Sequence, residues 1–159
     1  MGTSRDTSEF ACACIKNWWL SVGKGEYRRA KAILILCDGG GSNSSRAYIF
    51  KQDLENLACE LGINIRIAHY PPYCSKYNPI EHRLFPHITH AIRGANYTSV
   101  EMLAQAINRA RTKTGISVVV YIDENSYEIK RKYRPGYKDN NAIKYHRLMP
   151  KWNYTAIAA

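Results

Sequence analysis

Asp38 and Glu81 are the two acids whose surroundings invite chemistry. Asp38 ends the apolar run Ala32-Ile-Leu-Ile-Leu-Cys37 and opens onto Gly39, Gly40 and Gly41. Ligands in α/β sheets bind where strands end at their carboxyl side, and glycines let a substrate backbone approach closely. Glu81 stands in the first turn of a helix expected to open at Asn78-Pro79, a cap followed by a first-turn proline. Both carboxylates therefore sit beyond strand exits, Glu81 after the His69–Tyr77 loop. On neighbouring parallel strands they would share an oxygen-ligated cation such as Mg²⁺. Plainer roles exist for each. Asp38 also suits a turn, and Glu81 also complements the helix dipole, worth about a few tenths of a kcal/mol. The glycine run fits neither nucleotide motif: Ser44 occupies the third glycine position of G-x-G-x-x-G, and the Gly-Lys-Ser/Thr of a P-loop is missing.

A second group of residues points to polyanions. The net charge is +10, and residues 95–159 carry +6 of it. Lys130, Arg131, Lys132, Arg134 and Lys138 are interleaved with Tyr127, Tyr133 and Tyr137. Cations neutralise phosphates and aromatic faces stack on bases, so these five are the candidate phosphate contacts. The competing reading is a solvated basic face over packed tyrosines. His82, His87 and His90 crowd one helical stretch, where solvated or half-buried histidines are commoner than a zinc site. His82, next to Glu81, is placed to orient a carboxylate or a phosphate. The five cysteines show no C-x-x-C spacing and read as small hydrophobes. Trp18 and Trp19 continue an apolar helix face and read as core.

The elements that must position these residues follow from periodicity. Asp6 and Glu9 have capping-box spacing before a helix over 10–22, ended by Gly23 and Gly25. Ala32–Cys37, apolar at every position, predicts a strand buried on both faces in a parallel sheet. A helix over 45–61 closed by Gly62 and an alternating strand through Ile63, Ile65 and Ile67 complete a β-loop-α-β unit with a right-handed crossover. Pro86 should kink or break the helix that starts at Asn78. Thr98 and Glu101 cap a further helix through Ile107, ended near Gly115, and 116–122 reads as another strand. Beyond Asp123 periodicity fades.

Length and composition set the outer bounds. The 159 residues suggest one domain, and 45% hydrophobic residues exclude a disordered chain. No apolar run approaches the roughly 20 residues that span a bilayer, and the first residues show no signal pattern. Odd cysteine number suits a reducing compartment, so a cytoplasmic location is expected.

Three motifs in order then become recognisable. Leu36-Cys-Asp-Gly-Gly-Gly-Ser-Asn43, His69-Tyr-Pro-Pro72 and Ser75-Lys-Tyr-Asn-Pro-Ile-Glu-His-Arg-Leu-Phe85 together resemble the ISAzo-type insertion-sequence transposases. These belong to the DDE transposases, whose catalytic domain has an RNase H-like fold. Asp6-Thr-Ser-Glu-Phe-Ala11, Thr112-Lys-Thr-Gly115 and Trp152-Asn-Tyr-Thr155 extend the resemblance over nearly the whole chain. It implies a partial RNase H-like α/β fold with parallel strands flanked by helices. Residues 1–122 would form the C-terminal part of the catalytic domain, and 123–159 a basic, Tyr-rich extension packed on it. Asp38 and Glu81 would be the second and third carboxylates of the triad, holding Mg²⁺ or Mn²⁺ for DNA cleavage and strand transfer. Gly39, Gly40, Gly41, Asn43, His69, Lys76, Asn78, His82 and Arg83 would lie beside the metals or the DNA.

One departure stands out. The first triad Asp in such folds lies on the opening strand of an antiparallel meander, and Asp6 is the only earlier acid far enough upstream. The 32 positions from Asp6 to Asp38 are largely taken by a helix and a strand, so no meander fits. The chain is therefore expected to lack the first Asp and three strands, to expose an edge of the Ile33–Cys37 strand, and to be inactive alone. Its partners would be DNA and either the missing N-terminal part or a second copy, with no membrane. A non-catalytic DNA-binding remnant is the competing class. A small-molecule α/β enzyme using the Gly39–Gly41 loop is the third.

Overall fold

The computed structural model describes residues 1–71, 73–112, 115–137 and 142–158. They form two units: Asp6–Cys74 with Tyr127–Ala159, and Met1–Arg5 with Ser75–Ser126.

The first unit is built on a sheet of order β1-β2-β4-β3, comprising β1 Ala32–Cys37, β2 Asn64–His69, β3 Ile143–Tyr145 and β4 Asn153–Ala156. β1 and β2 are parallel, with Ile33 beside Ile65 and Cys37 beside His69, as a crossover helix requires. That helix, α3 (Tyr48–Leu61), ends at Gly62 with φ 63°, the left-handed cap that glycine adopts without steric cost. It starts three residues later than the periodicity suggests, because a 3₁₀ turn at Gly41–Asn43 and a short loop intervene. β4 lies antiparallel to both β2 and β3. These two strands come from the stretch in which periodicity had faded. Each is short; β3 pairs with the next segment of chain, whereas β4 pairs with β2, distant in sequence.

Helix α1 (Ser8–Trp18) continues through a π-helical turn, Trp19–Gly23, into the short α2, Lys24–Glu26. Its cap is Thr7, not Asp6: the Thr7 hydroxyl accepts from the Phe10 N–H at 3.2 Å. Gly23 does not stop the helix either. A Cβ there would stand 2.6 Å from the Trp19 ring, so glycine makes room for indole packing. Trp19 is core beside Ile33 and Ile63, whereas Trp18 is exposed. α1 and α3 cover one sheet face. Phe50, Leu54 and Ala58 pack there on Ile65, Ile67, Tyr154 and Ala156, with Cys12 from α1. Each fully buried large apolar side chain contributes about 1.5–3 kcal/mol.

β1 is buried on one face only, which corrects the expectation for an all-apolar strand. Ile33 and Cys37 are buried, but Leu34 is 59% and Leu36 46% exposed. They share their face with Arg66 and Thr155, opposite the one that α1 and α3 cover. Among the described residues β1 pairs on one side only, so its other edge is open.

The second unit is helical. Asn78 caps α4 (Pro79–Arg83), its side chain accepting from the Ile80 N–H at 3.4 Å. The chain breaks at Leu84 and resumes as α5 (Phe85–Ile92), with Pro86 in the first turn, where a missing N–H does no harm. α6 (Val100–Asn108) is capped by Ser99, whose hydroxyl accepts from the Met102 N–H at 3.2 Å, one residue after the expected Thr98. It ends at Asn108, one residue past the expected Ile107. Residues 116–122 are not a strand. Among the described residues they hold a single bridge, Arg111 to Ser117, and the Val120 N–H is taken by the Asn108 side chain at 2.7 Å. Val119 and Tyr121 remain exposed, and at the end of the stretch the Tyr121 carbonyl accepts from the Met1 amine at 2.5 Å.

Candidate active site and nucleic-acid interface

Asp38 is the first residue past β1, and its side chain is exposed. The Cys37 carbonyl before it accepts from the Tyr70 N–H at 2.7 Å, which prolongs the β1–β2 ladder to the point where the carboxylate emerges. Gly40 N–H approaches Asp38 Oδ1 at 3.4 Å, so most of the carboxylate's lone pairs face outward. Gly41 has φ +61°, which turns the chain back across the sheet end. Asp6, released from capping, accepts from the Ser42 hydroxyl at 3.0 Å and so pins this loop to the start of α1. Asn43 is tied from below. His69 is buried, and its Nε2–H donates to the Asn43 carbonyl at 2.8 Å. Its Nδ1 lies 3.3 Å from the Trp152 carbonyl, which also accepts the His69 main-chain N–H at 2.9 Å. His69 is thus a brace beneath the loop and presents no free nitrogen to a substrate.

Glu81 belongs to the helical unit and is exposed on the first turn of α4. Its N–H donates to the Asn78 carbonyl at 3.1 Å. His82 donates through Nε2 to the Lys76 carbonyl at 2.6 Å, which closes the Ser75–Tyr77 turn onto α4. Lys76 lays its ammonium 5.2 Å from the Tyr77 ring centre, and Arg83 is exposed. Asn78, Lys76, His82 and Glu81 therefore form one local module, whereas Asp38, Gly39, Gly40, Gly41, Asn43 and His69 form another in the sheet unit.

The basic residues of the tail divide by partner. Arg131 pairs with Asp53 at 2.5 Å and with Glu9 at 3.3 Å. Asp53 is buried and also accepts the Ser8 hydroxyl. Arg134 pairs with Glu55 at 2.9 Å. Lys130 and Lys132 are exposed. Lys138 lies outside the described residues, as do Pro72, Lys113 and Thr114 of the sequence motifs. Sequence reasoning missed a second basic group in which Arg46, Lys51 and Lys151 line one cavity with Tyr48, Tyr145 and Trp152. Tyr145 and Trp152 carry a weak signal as aromatics within the basic tail. Lys51 carries none, because it falls inside the apolar stripe of α3.

The family model of the Rhodopirellula transposase DDE domain matches residues 1–158. The chain belongs to this family. No curated protein and no solved structure matches it significantly. Membership makes the chain a transposase domain, with DNA as its partner and divalent metal as the family's means of catalysis. Asp38 and Glu81 both present exposed side chains, and carboxylate oxygens are the donor type that Mg²⁺ and Mn²⁺ prefer. Among the described residues no group of three or more His, Cys, Asp or Glu side chains is gathered for a metal ion. No helix among them is long and apolar enough to cross a membrane.

Proposed function

We propose that the chain is the rear part of an RNase H-like DDE catalytic domain, with Asp38 and Glu81 as the two metal-holding carboxylates of the triad. The observation that carries this reading is Asp38: an exposed carboxylate at the carboxyl end of a parallel strand, followed by a pinned glycine loop, in a chain matched by the DDE family from end to end. Mg²⁺ or Mn²⁺, when bound, activates the attacking oxygen and stabilises the leaving one. The protein's own part is positional. Gly39, Gly40 and Gly41 leave room for a phosphate backbone next to Asp38. The His69 brace holds that loop against the sheet. The Asn78 cap and the His82–Lys76 link hold Glu81 at the start of α4. Lys76, Arg83, Lys130 and Lys132 are the exposed cations placed for phosphates, and residues 123–159 serve as a basic extension.

With two of three carboxylates, the chain is inactive alone. The open β1 edge supports a further strand pairing there, from a separate N-terminal part or a second copy. The test combines Mn²⁺ titration calorimetry with nicking of supercoiled plasmid. Mn²⁺ binding should vanish in Asp38→Ala and in Glu81→Ala, and the purified chain should not nick. Mn²⁺ binding that survives both substitutions would sink the metal pair. Nicking by the chain alone through Asp38 would sink the claim of inactivity. DNA affinity that is salt-sensitive, alongside no Mn²⁺ binding in the unsubstituted chain, would favour a non-catalytic DNA-binding protein.

A further inference from the structure

Lys51 is buried at 6% exposure, yet no carboxylate among the described residues pairs with it. Its ammonium lies 5.1 Å from the ring centres of both Tyr48 and Tyr145 and 5.2 Å from that of Tyr154. One N–H donates to the Tyr145 hydroxyl at 3.2 Å. Aromatic faces attract a cation without offsetting its charge as a carboxylate would, and Lys51 stands at the wall of a cavity. Arg46 and Lys151 add two more cations to that wall, Tyr145 and Trp152 supply flat faces, and among the described residues no acid lines it. The cavity measures about 590 Å³, within the roughly 300–1,000 Å³ range of small-ligand sites. Three cations ask for an anion, and two aromatic walls ask for a planar ring. A nucleotide carries both.

We propose that this cavity is a subsite for one unstacked nucleotide of a DNA strand, with its phosphate at Lys51, Arg46 and Lys151 and its base against Trp152 and Tyr145. The inference rests on the DNA-binding reading above. A strand fits better than a free nucleotide because the cavity is joined to the Asp38 loop. Trp152 bonds through its carbonyl to His69, and His69 bonds to Asn43 on the far side of the glycines. Ser45 and Arg46 continue from that loop into the cavity wall. A strand seated here lies along the route to the exposed carboxylate.

Fluorescence anisotropy with a short labelled single strand of DNA tests this. Trp152→Leu should weaken binding about tenfold, the scale of one lost base–aromatic stack, and should weaken duplex binding less. Lys151→Gln should reduce the salt slope by about one. Lys24→Gln, remote on α2, should stay within about twofold. Lys51→Met should behave like Lys151→Gln or worse, and the variants at exposed Lys151 and half-buried Trp152 keep the test decisive if it misfolds. Unchanged affinity in both Trp152→Leu and Lys151→Gln would overturn the subsite while leaving DNA binding intact. Thymidine monophosphate binding as tightly as the strand would overturn it in favour of a free-nucleotide site. Failure of the unsubstituted chain to bind any DNA would overturn the DNA reading and the subsite with it.

Discussion

The unit that carries Asp38 and the unit that carries Glu81 are supported in different ways. In the sheet unit Tyr154, Phe50, Leu54, Ile65 and Ile67 are fully buried, and four strands and two helices meet on them. The buried apolar residues of the helical unit are Ala104, Ala106 and Ala110, among the described residues. Asp38 therefore leaves a packed sheet, whereas Glu81 rides on a five-residue helix held by a cap and a turn. A carboxylate on a rigid strand end is positioned before any ligand arrives. One on a weakly buried module depends more on the metal and the DNA to fix it.

This contrast can be broken in order of expected size. Leu54→Ala, in the sheet unit, should cost about 2–5 kcal/mol, and Ile80→Ala in α4 under about 1 kcal/mol, both read by urea denaturation. Equal losses would mean the two units are equally dependent on core packing. Arg131→Gln should cost about 1–3 kcal/mol, because it leaves the buried Asp53 without its charged partner. It should change DNA affinity less than Lys132→Gln, whose side chain is exposed. If the two variants exchange these effects, Arg131 is a phosphate contact and not a strut.

Alkaline titration probes the same core. Burial, then the charge of Asp53, pushes the Cys12 thiol well above its usual value of 9.0. Its folded value exceeds its unfolded one, so the stabilisation it contributes is full below about pH 9 and falls as pH rises beyond. The melting temperature should decline above pH 9, and Cys12→Ala should flatten that decline. Iodoacetamide at pH 8 should label exposed Cys59 and spare Cys12. Labelling of both at similar rates would show that the sheet unit opens readily. The smallest effect concerns Tyr154, whose buried hydroxyl has no hydrogen-bond partner among the described residues. Tyr154→Phe should be neutral or stabilise by up to about 1 kcal/mol, measured by the same denaturation.

Much of the scaffold was readable from local signals. The Ala32–Cys37 strand, the Gly62 stop, the Ile63–Ile67 alternation and the Asn78-Pro79 start each act within a few residues, and each stands where its chemistry says. The break near Pro86 is equally local. The larger misses involve partners distant in sequence. Residues 116–122 have a strand's composition but among the described residues form only an isolated bridge. β3 and β4 have little composition signal, yet β4 pairs with β2 and β3 with β4. Leu34 and Leu36 are apolar, yet the helices cover the opposite face. Thr7 displaced Asp6 as cap because the Gly41–Ser42 loop offers Asp6 another bond.

The sequence alone determined the chemistry on offer: an Asp at a strand end, three glycines that permit close approach, a Glu after a capped proline, and a basic, tyrosine-rich tail. Those depend on residue types and short spacings, which folding does not alter. Tertiary structure alone decided which cations are available. Arg131 and Arg134 close onto Asp53 and Glu55, 78 and 79 residues away, while Lys51, in the middle of a helix stripe, is turned toward Tyr145 across 94 residues. Charge availability is set by which distant side chain reaches a cation first, and that follows from how the sheet brings the tail against α3.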